Sequence, residues 1–456
     1  MSRVALVAPA ARLRSMLVAV GEAGVAQLVG PLPAPEGEAV EALRRLERAP
    51  ARNGAAAGPR VAVSAPALDA LERDGRRDLL AGEVELQRRA GAAVRRAGFA
   101  ALVAWMPSAE VAPLGERLAP LGCAVVELPR PAFVEPPTLL REHAFRPLVD
   151  TFGAARYADI DPTPFAAATF VLMFGMMFGD AGHGLVLAGL GLALRTSRSP
   201  RLRGVRALWP FLVAGGLAAT FFGLLYGEFF GPTGIVPTLW LEPLEEPVRL
   251  LAAAVAVGAL LLAAGYAIGI VNRHRESGWS AALLAPSGVA GLAVLVGGSV
   301  LAAGIYASSG ALAAAGIAIT AGAIVLLFAG FVAEAGFSGA AVAQALIEVF
   351  DAVLRVGANL VSFTRLAAFG LMHAALGAIV LDGARGLWEA GGAIAMAGAV
   401  LLFVAGNAVA FTLELLVAAV QAMRLEYYEL FSRVYAGQGE PFTPWRIAVT
   451  KEAHQT

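Results

Sequence analysis

Apolar runs long enough to cross a lipid bilayer dominate this sequence and leave few folds open to it. A helix needs about 20 predominantly apolar residues to cross the hydrocarbon. Blocks of that kind run over 209–230, 248–271, 282–306, 311–333, 341–381 and 391–423. A further block, 165–194, is interrupted at its centre by Gly175, Gly179, Asp180, Gly182 and Gly184. Charge follows the same division. Residues 1–150 carry 19 Arg and 17 acids, 36 of the 70 formal charges, and the other 306 residues share 34. Charged residues are 15% of the chain, against about 25% in a soluble domain. The expected architecture is a polytopic all-α membrane domain over 151–456, of about eight helices with the last two long and tilted. A small α+β domain over 1–150 precedes it.

Two scarcities exclude whole classes of chemistry. Cys123 is the only cysteine, so a disulfide framework and a CxxC metal or redox site are excluded. Lys451 is the only lysine and has no glycine-rich loop before it, which excludes a GxxxxGK[ST] phosphate loop and a Schiff-base lysine in the core. If the protein works with ATP, another chain hydrolyses it. A net charge of zero argues against a nucleic-acid partner. No cofactor and no metal is expected.

In the polar head, Arg12, Arg14 and Glu22 break any signal-peptide core. Residues 4–7 read as a strand and 11–21 as an amphipathic helix with Leu13, Met16, Leu17 and Val20 on one face. A second unit of this kind runs through a strand at 99–106, a helix at 113–122 and a strand at 124–128. Between them lie an Ala/Gly/Pro linker at 50–66 and a charged helix at 68–96. The connector 129–137 is proline-rich and cannot stay helical. His143 and Cys123 are read as structural.

Orientation comes from arginine counts. The loop 195–206 carries five Arg and no acid, and 272–278 (NRHRESG) is also basic, so both are expected on the cytoplasmic side. The loop 231–247 holds three Glu and no Arg, and is expected outside. With a cytoplasmic head, the block 165–194 must cross an even number of times. It is expected to be a broken hairpin hinged at 179–182, with both termini of the chain cytoplasmic.

Ionisable residues inside such blocks are expensive and are functional candidates by default. Asp180 and His183 sit at the hairpin break, Glu228 ends the next block, and Glu334 reads as a boundary residue. The densest set lies in the last two blocks: Asp351, Arg355, Asn359, Ser362, Arg365 and His373, then Asn407, Glu414, Gln421 and Arg424. At about 100° per residue, Ser362 and Asp351 fall within about 60° of Arg365, and His373 about 80° away. Asn407, Glu414 and Gln421 recur every seven residues as one polar seam. An arginine there keeps its proton at any relevant pH. It is either a fixed positive charge that meets a carboxylate arriving in the bilayer, or the permanent partner of a structural acid such as Glu414. Stripe geometry alone leaves both open.

Four stretches resemble one family: DPTPF at 161–165, FGMMFGDAGHG at 174–184, SFTRLAAFGLMHAAL at 362–376 and RLEYYELFSRVYAGQGEPF at 424–442. In this order and spacing they are similar to the membrane subunit of V/A-type rotary ATPases, called subunit a or subunit I. The resemblance implies a stator held against a rotating proteolipid ring, each ring subunit carrying one membrane carboxylate. It also implies peripheral stalk subunits, a rotor-adaptor subunit and a separate ATP-hydrolysing head as partners, with this chain itself no enzyme. The family's essential arginine falls on Arg365, its histidine on His373, the acid fourteen residues earlier on Asp351, its buried glutamate on Glu414 and its second arginine on Arg424. Asp351 stands where relatives often have Glu, Ala358-Asn359-Leu360 replaces a Ser-Asn-Thr-type run, and the head is shorter than is usual.

On this resemblance Arg365 deprotonates the ring carboxylate and separates two proton half-channels. From the topology, His373 and Glu414 are assigned to the outer one and Asp351 to the inner one, with His373 either relaying protons or only orienting Glu414. Arg424 backs Arg365 or holds Glu414 ionised. Asp180 and His183 are read either as part of an access path or, as the Gly-rich packing of the hairpin suggests, in structural hydrogen-bonding roles. Glu228, Ser362, Asn407 and Gln421 are secondary candidates. The arginine-for-lysine bias suggests a prokaryotic plasma membrane. The rival readings are a secondary transporter with its substrate site at the 179–182 break, for which no second interrupted segment is found in 311–423, and a receptor or scaffold working through its head.

Overall fold

The computed structural model describes residues 1–48, 58–131, 134–139, 144–150, 153, 156–336, 338–431 and 439–450; His143 and Lys451 lie outside the described residues. The chain forms two compact units, one from Met1–Arg141 with Gly439–Thr456, the other from Glu142–Gln438.

The first unit runs β1 (Ser2–Pro9), α1 (Leu13–Ala23), β2 (Gln27–Val29), α2 (Glu38–Arg48), β3 (Arg60–Ala62), α3 (Leu68–Arg73), α4 (Arg77–Gly91), β4 (Val94–Arg96), β5 (Phe99–Met106), α5 (Val111–Leu118) and β6 (Ala124–Leu128). The strands form an antiparallel sheet in the order β2-β5-β1-β6, with β4 also on β5. Alternation in β1 turns Val4, Leu6 and Ala8 inward. There they meet Leu13, Met16, Leu17 and Val20 of α1 in one core. The charged helix expected over 68–96 is instead α3, α4 and β4. It breaks at Asp74–Arg76, where Gly75 has φ 66°, a left-handed value that glycine adopts readily. Arg14 pairs with Glu83 in this unit. Burial pushes the Glu83 carboxyl above its usual range, and Arg14 only partly offsets it. Burial likewise pushes the Cys123 thiol up, which makes it a poor nucleophile.

The C-terminal stretch was expected in the membrane domain but belongs to the first unit. Trp445 and Ile447 are buried in the head core. Their amides donate to Ala26 O at 2.9 Å and Gly21 O at 3.0 Å. Gly21 makes room, since a Cβ there would lie 2.6 Å from Ile447 Cγ2. Arg89 stacks over the Trp445 ring at 5.5 Å.

The second unit is helical: α6 (Arg146–Asp150), α7 (Thr163–Met177), α8 (Ala181–Thr196), α9 (Trp209–Tyr226), α10 (Pro247–Leu284), α11 (Val289–Tyr306), α12 (Gly310–Ala335), α13 (Gly339–Ser362), α14 (Thr364–Glu389) and α15 (Ala393–Leu425), then a π-helical turn, Glu426–Phe431. The chain returns to the first unit through a last strand, β7 (Ala448–Thr450), which pairs in parallel with β3. Among the described residues six stretches are long and apolar enough to cross a membrane, with α13 and α14 counted together as Gly339–Glu389. α7 is a shorter apolar helix. α7 and α8 are the two arms of the expected hairpin, broken at 178–180. Small residues let α9 lie against it: a Cβ on Gly223 would sit 2.1 Å from Ala181 N, and one on Gly184 2.5 Å from Thr220 N.

Two expectations change. The apolar block 248–271 does not end its helix at the basic stretch 272–278, because α10 continues through it to a break at Gly278 (φ 79°, ψ −171°). Arginines do not end a helix, whereas a glycine in that conformation does. The long block expected at 341–381 runs over 339–389 and is interrupted at Phe363. The Phe363 ring is fully buried and seated at Gly258 of α10, where a Cβ would come within 2.3 Å of its Cγ.

Candidate functional site

The Phe363 break sets the position of Arg365, the second residue of α14. The last turn of α13 leaves carbonyls without helical partners, and Arg365 Nε donates to one of them, Ser362 O, at 2.9 Å. Its Nη2 donates to Glu429 Oε1 at 2.5 Å. The Arg365 side chain remains 23% exposed while that of Glu429 is 7% exposed. The acid on its own chain that meets Arg365 is therefore Glu429, not the Glu414 considered from stripe geometry. The π-helical turn after α15 buries two acids, Glu426 and Glu429. Glu426 accepts from Thr169 Oγ1 of α7 at 2.6 Å.

A second cluster forms where the hairpin break, the end of α9, α14 and α15 meet. Asp180 caps α8, accepting from His183 N at 2.8 Å, and also accepts from Phe230 N at 3.1 Å and Gly231 N at 2.7 Å. Three backbone donors on one carboxylate lock the break to the chain leaving α9. His373, two turns beyond Arg365 on α14 and so about 12 Å further along the axis, pairs through Nδ1 with Glu414 of α15. His373 Nε2 lies 3.7 Å from both Asp180 Oδ2 and Glu228 Oε2. The rings of His183 and His373 meet edge-on with centroids 5.6 Å apart, walled by Phe178, Phe230 and Phe411. Asp180, His183, Glu228, His373 and Glu414 are all buried. Among the described residues no arginine pairs with these three carboxylates.

The remaining candidates stand apart. Asp351 pairs with Arg355 four residues on, both side chains more than half exposed, and does not reach Arg365. Ser362 contributes its carbonyl rather than its hydroxyl. Asn407 is buried and donates to Phe403 O at 2.9 Å. Gln421 keeps an unpaired buried oxygen. Arg424 is exposed and forms no ion pair among the described residues, so it holds neither Glu414 nor the Arg365 pair. Glu429 and Glu426 were missed because the last apolar block seemed to end at Met423. The signal was present: acids at 426 and 429, three apart, share one helical face only 12 and 15 residues beyond Glu414.

Residues 105–246 match the V-type ATPase 116 kDa subunit family. The A-type ATP synthase subunit I of Halobacterium salinarum is 28% identical over 381 residues, covering 66% of this chain and 50% of that protein. The subunit I of Pyrococcus horikoshii is 25% identical over 361 residues, 75% and 53% of the two chains. A human V-type proton ATPase 116 kDa subunit a 3 is 34% identical over 119 residues, 23% and 14%. The chain spans about half the length of these archaeal relatives. It is an integral membrane protein related to the a/I subunits of V- and A-type ATPases.

Proposed function

We propose that this relative of the a/I subunits is the stator of a V/A-type rotary ATPase, facing a proteolipid ring with Arg365. The observation that carries the reading is the state of that guanidinium. It is a fixed charge in an apolar helix pair, held by Glu429 on one side and still partly open on the other. A ring carboxylate arriving there exchanges with Glu429 as the partner of Arg365. The positive charge lowers the arriving acid's proton affinity, so release is confined to that position. The same charge repels a positive carrier and so separates the two half-channels. His373 and Glu414 form a buried relay for the outer half-channel, and Asp351 lies at the inner one. Glu429 holds the guanidinium between visits. Exposed apolar side chains on α13 (Leu346, Ile347, Phe350, Leu354) suit a face against lipid or the ring. The head is assigned to peripheral stalk contacts, and ATP chemistry to other subunits.

Purification of the full chain from its native membrane, with partners identified by mass spectrometry, tests the assignment. A small, very apolar proteolipid in multiple copies together with ATPase head subunits is expected. Recovery of the chain alone, with substrate transport in vesicles, would favour the secondary-transporter reading of the hairpin break.

A further inference from the structure

We propose that His373, His183, Asp180 and Glu228 form a binding site for a first-row divalent cation, zinc above all, whose occupancy takes His373 out of the proton relay proposed above. The argument rests on how the donor atoms are left. His373 Nδ1 is taken by the Glu414 carboxylate. That is the arrangement in which a carboxylate fixes the tautomer of a metal-binding imidazole and leaves its other nitrogen, here Nε2, for the ion. Nε2 closes no hydrogen bond among the described residues, and neither does Glu228 Oε2 or either ring nitrogen of His183. These are side chains no more than 5% exposed, where an unmet donor or acceptor is costly.

The spacing fits a coordination shell better than a hydrogen-bond network. His373 Nε2 to Asp180 Oδ2, His373 Nε2 to Glu228 Oε2 and His183 Nδ1 to Asp180 Oδ1 are each 3.7 Å, too long for a hydrogen bond. Zinc–ligand bonds of about 2.0–2.1 Å give tetrahedral edges of about 3.3 Å. Those three edges need a contraction of a few tenths of an ångström; the other pairs of donor atoms on Asp180, His183 and His373, which lie within 4.8 Å, need more. One ligand atom each from Asp180, His183 and His373 already lies within 4.8 Å of the others. Two imidazoles with two carboxylates suit zinc rather than calcium or magnesium, which prefer all-oxygen shells. The ion would also neutralise Asp180 and Glu228. A cavity of about 300 Å³ is lined by Glu228 together with Tyr226, Thr238 and Glu242.

The test uses the purified full-length chain in detergent with Zn²⁺ as the probe, titrated against a chromogenic chelator. His183→Phe and Glu228→Gln keep side-chain shape and spare Asp180, which caps the helix. Each is expected to lower zinc stoichiometry by one site, or weaken that site at least tenfold, while Mg²⁺ fails to compete. Zinc X-ray absorption of the wild-type chain reads the ligands without any variant and should show two imidazoles. Unchanged stoichiometry and affinity in both variants, or a wild-type spectrum without paired imidazoles, would overturn the proposal.

Discussion

Asp180 joins local and long-range order through one side chain. It caps α8 and fixes the backbone of Phe230 and Gly231 with the same two oxygens. Asp180→Asn turns one acceptor into a donor facing backbone N–H groups, and the expected loss is about 1–3 kcal/mol. A denaturant titration in mixed micelles measures it; a variant as stable as the parent would show that the capping bonds contribute little. Which side chains deserved this attention was partly legible. Arg365, His373 and Glu414 stood out as charges inside apolar runs, where charge is costly. Their partners were not. Helical angles relate residues on one helix only, so the pairing of Arg365 with Glu429 and the meeting of His373 with Asp180 and Glu228 depended on packing that no single periodicity encodes.

Helices and strands were legible where local chemistry decides them. The strands at 99–106 and 124–128 end as read, at Pro107 after β5 and at the proline-rich connector after β6. α2 escaped notice because its buried face is only Ala39, Val40 and Ala42, amid charges. The break at Phe363 has no proline or glycine to announce it; a tertiary contact with Gly258 holds it. Close helix approach, by contrast, is written in small residues. At Gly223 an added methyl would press on the backbone of Ala181, which cannot step aside as a flexible side chain would. Gly223→Ala is expected to destabilise the α8–α9 pair by about 1–3 kcal/mol. Thermal unfolding in detergent checks this, and an unchanged midpoint would mean that the helices separate freely.

Taken whole, the molecule divides its labour between a sheet-containing head and a helical membrane unit, and the chain's last described residues close the head core. Trp445→Ala removes a buried ring from that core, with an expected cost of about 3–5 kcal/mol. Hydrogen exchange on the full chain should then rise in α1 and β3 while α14 and α15 stay protected; equal exchange everywhere would deny the C-terminal stretch its place in the head. The central claim concerns Arg365 and is tested most directly by ATP-driven proton uptake into vesicles holding the assembled complex. With Arg365→Ala the account predicts full assembly and loss of uptake. Arg365→Lys should fail nearly as completely, because a buried lysine can shed its proton. Uptake at the parental rate by the fully assembled alanine variant would contradict it.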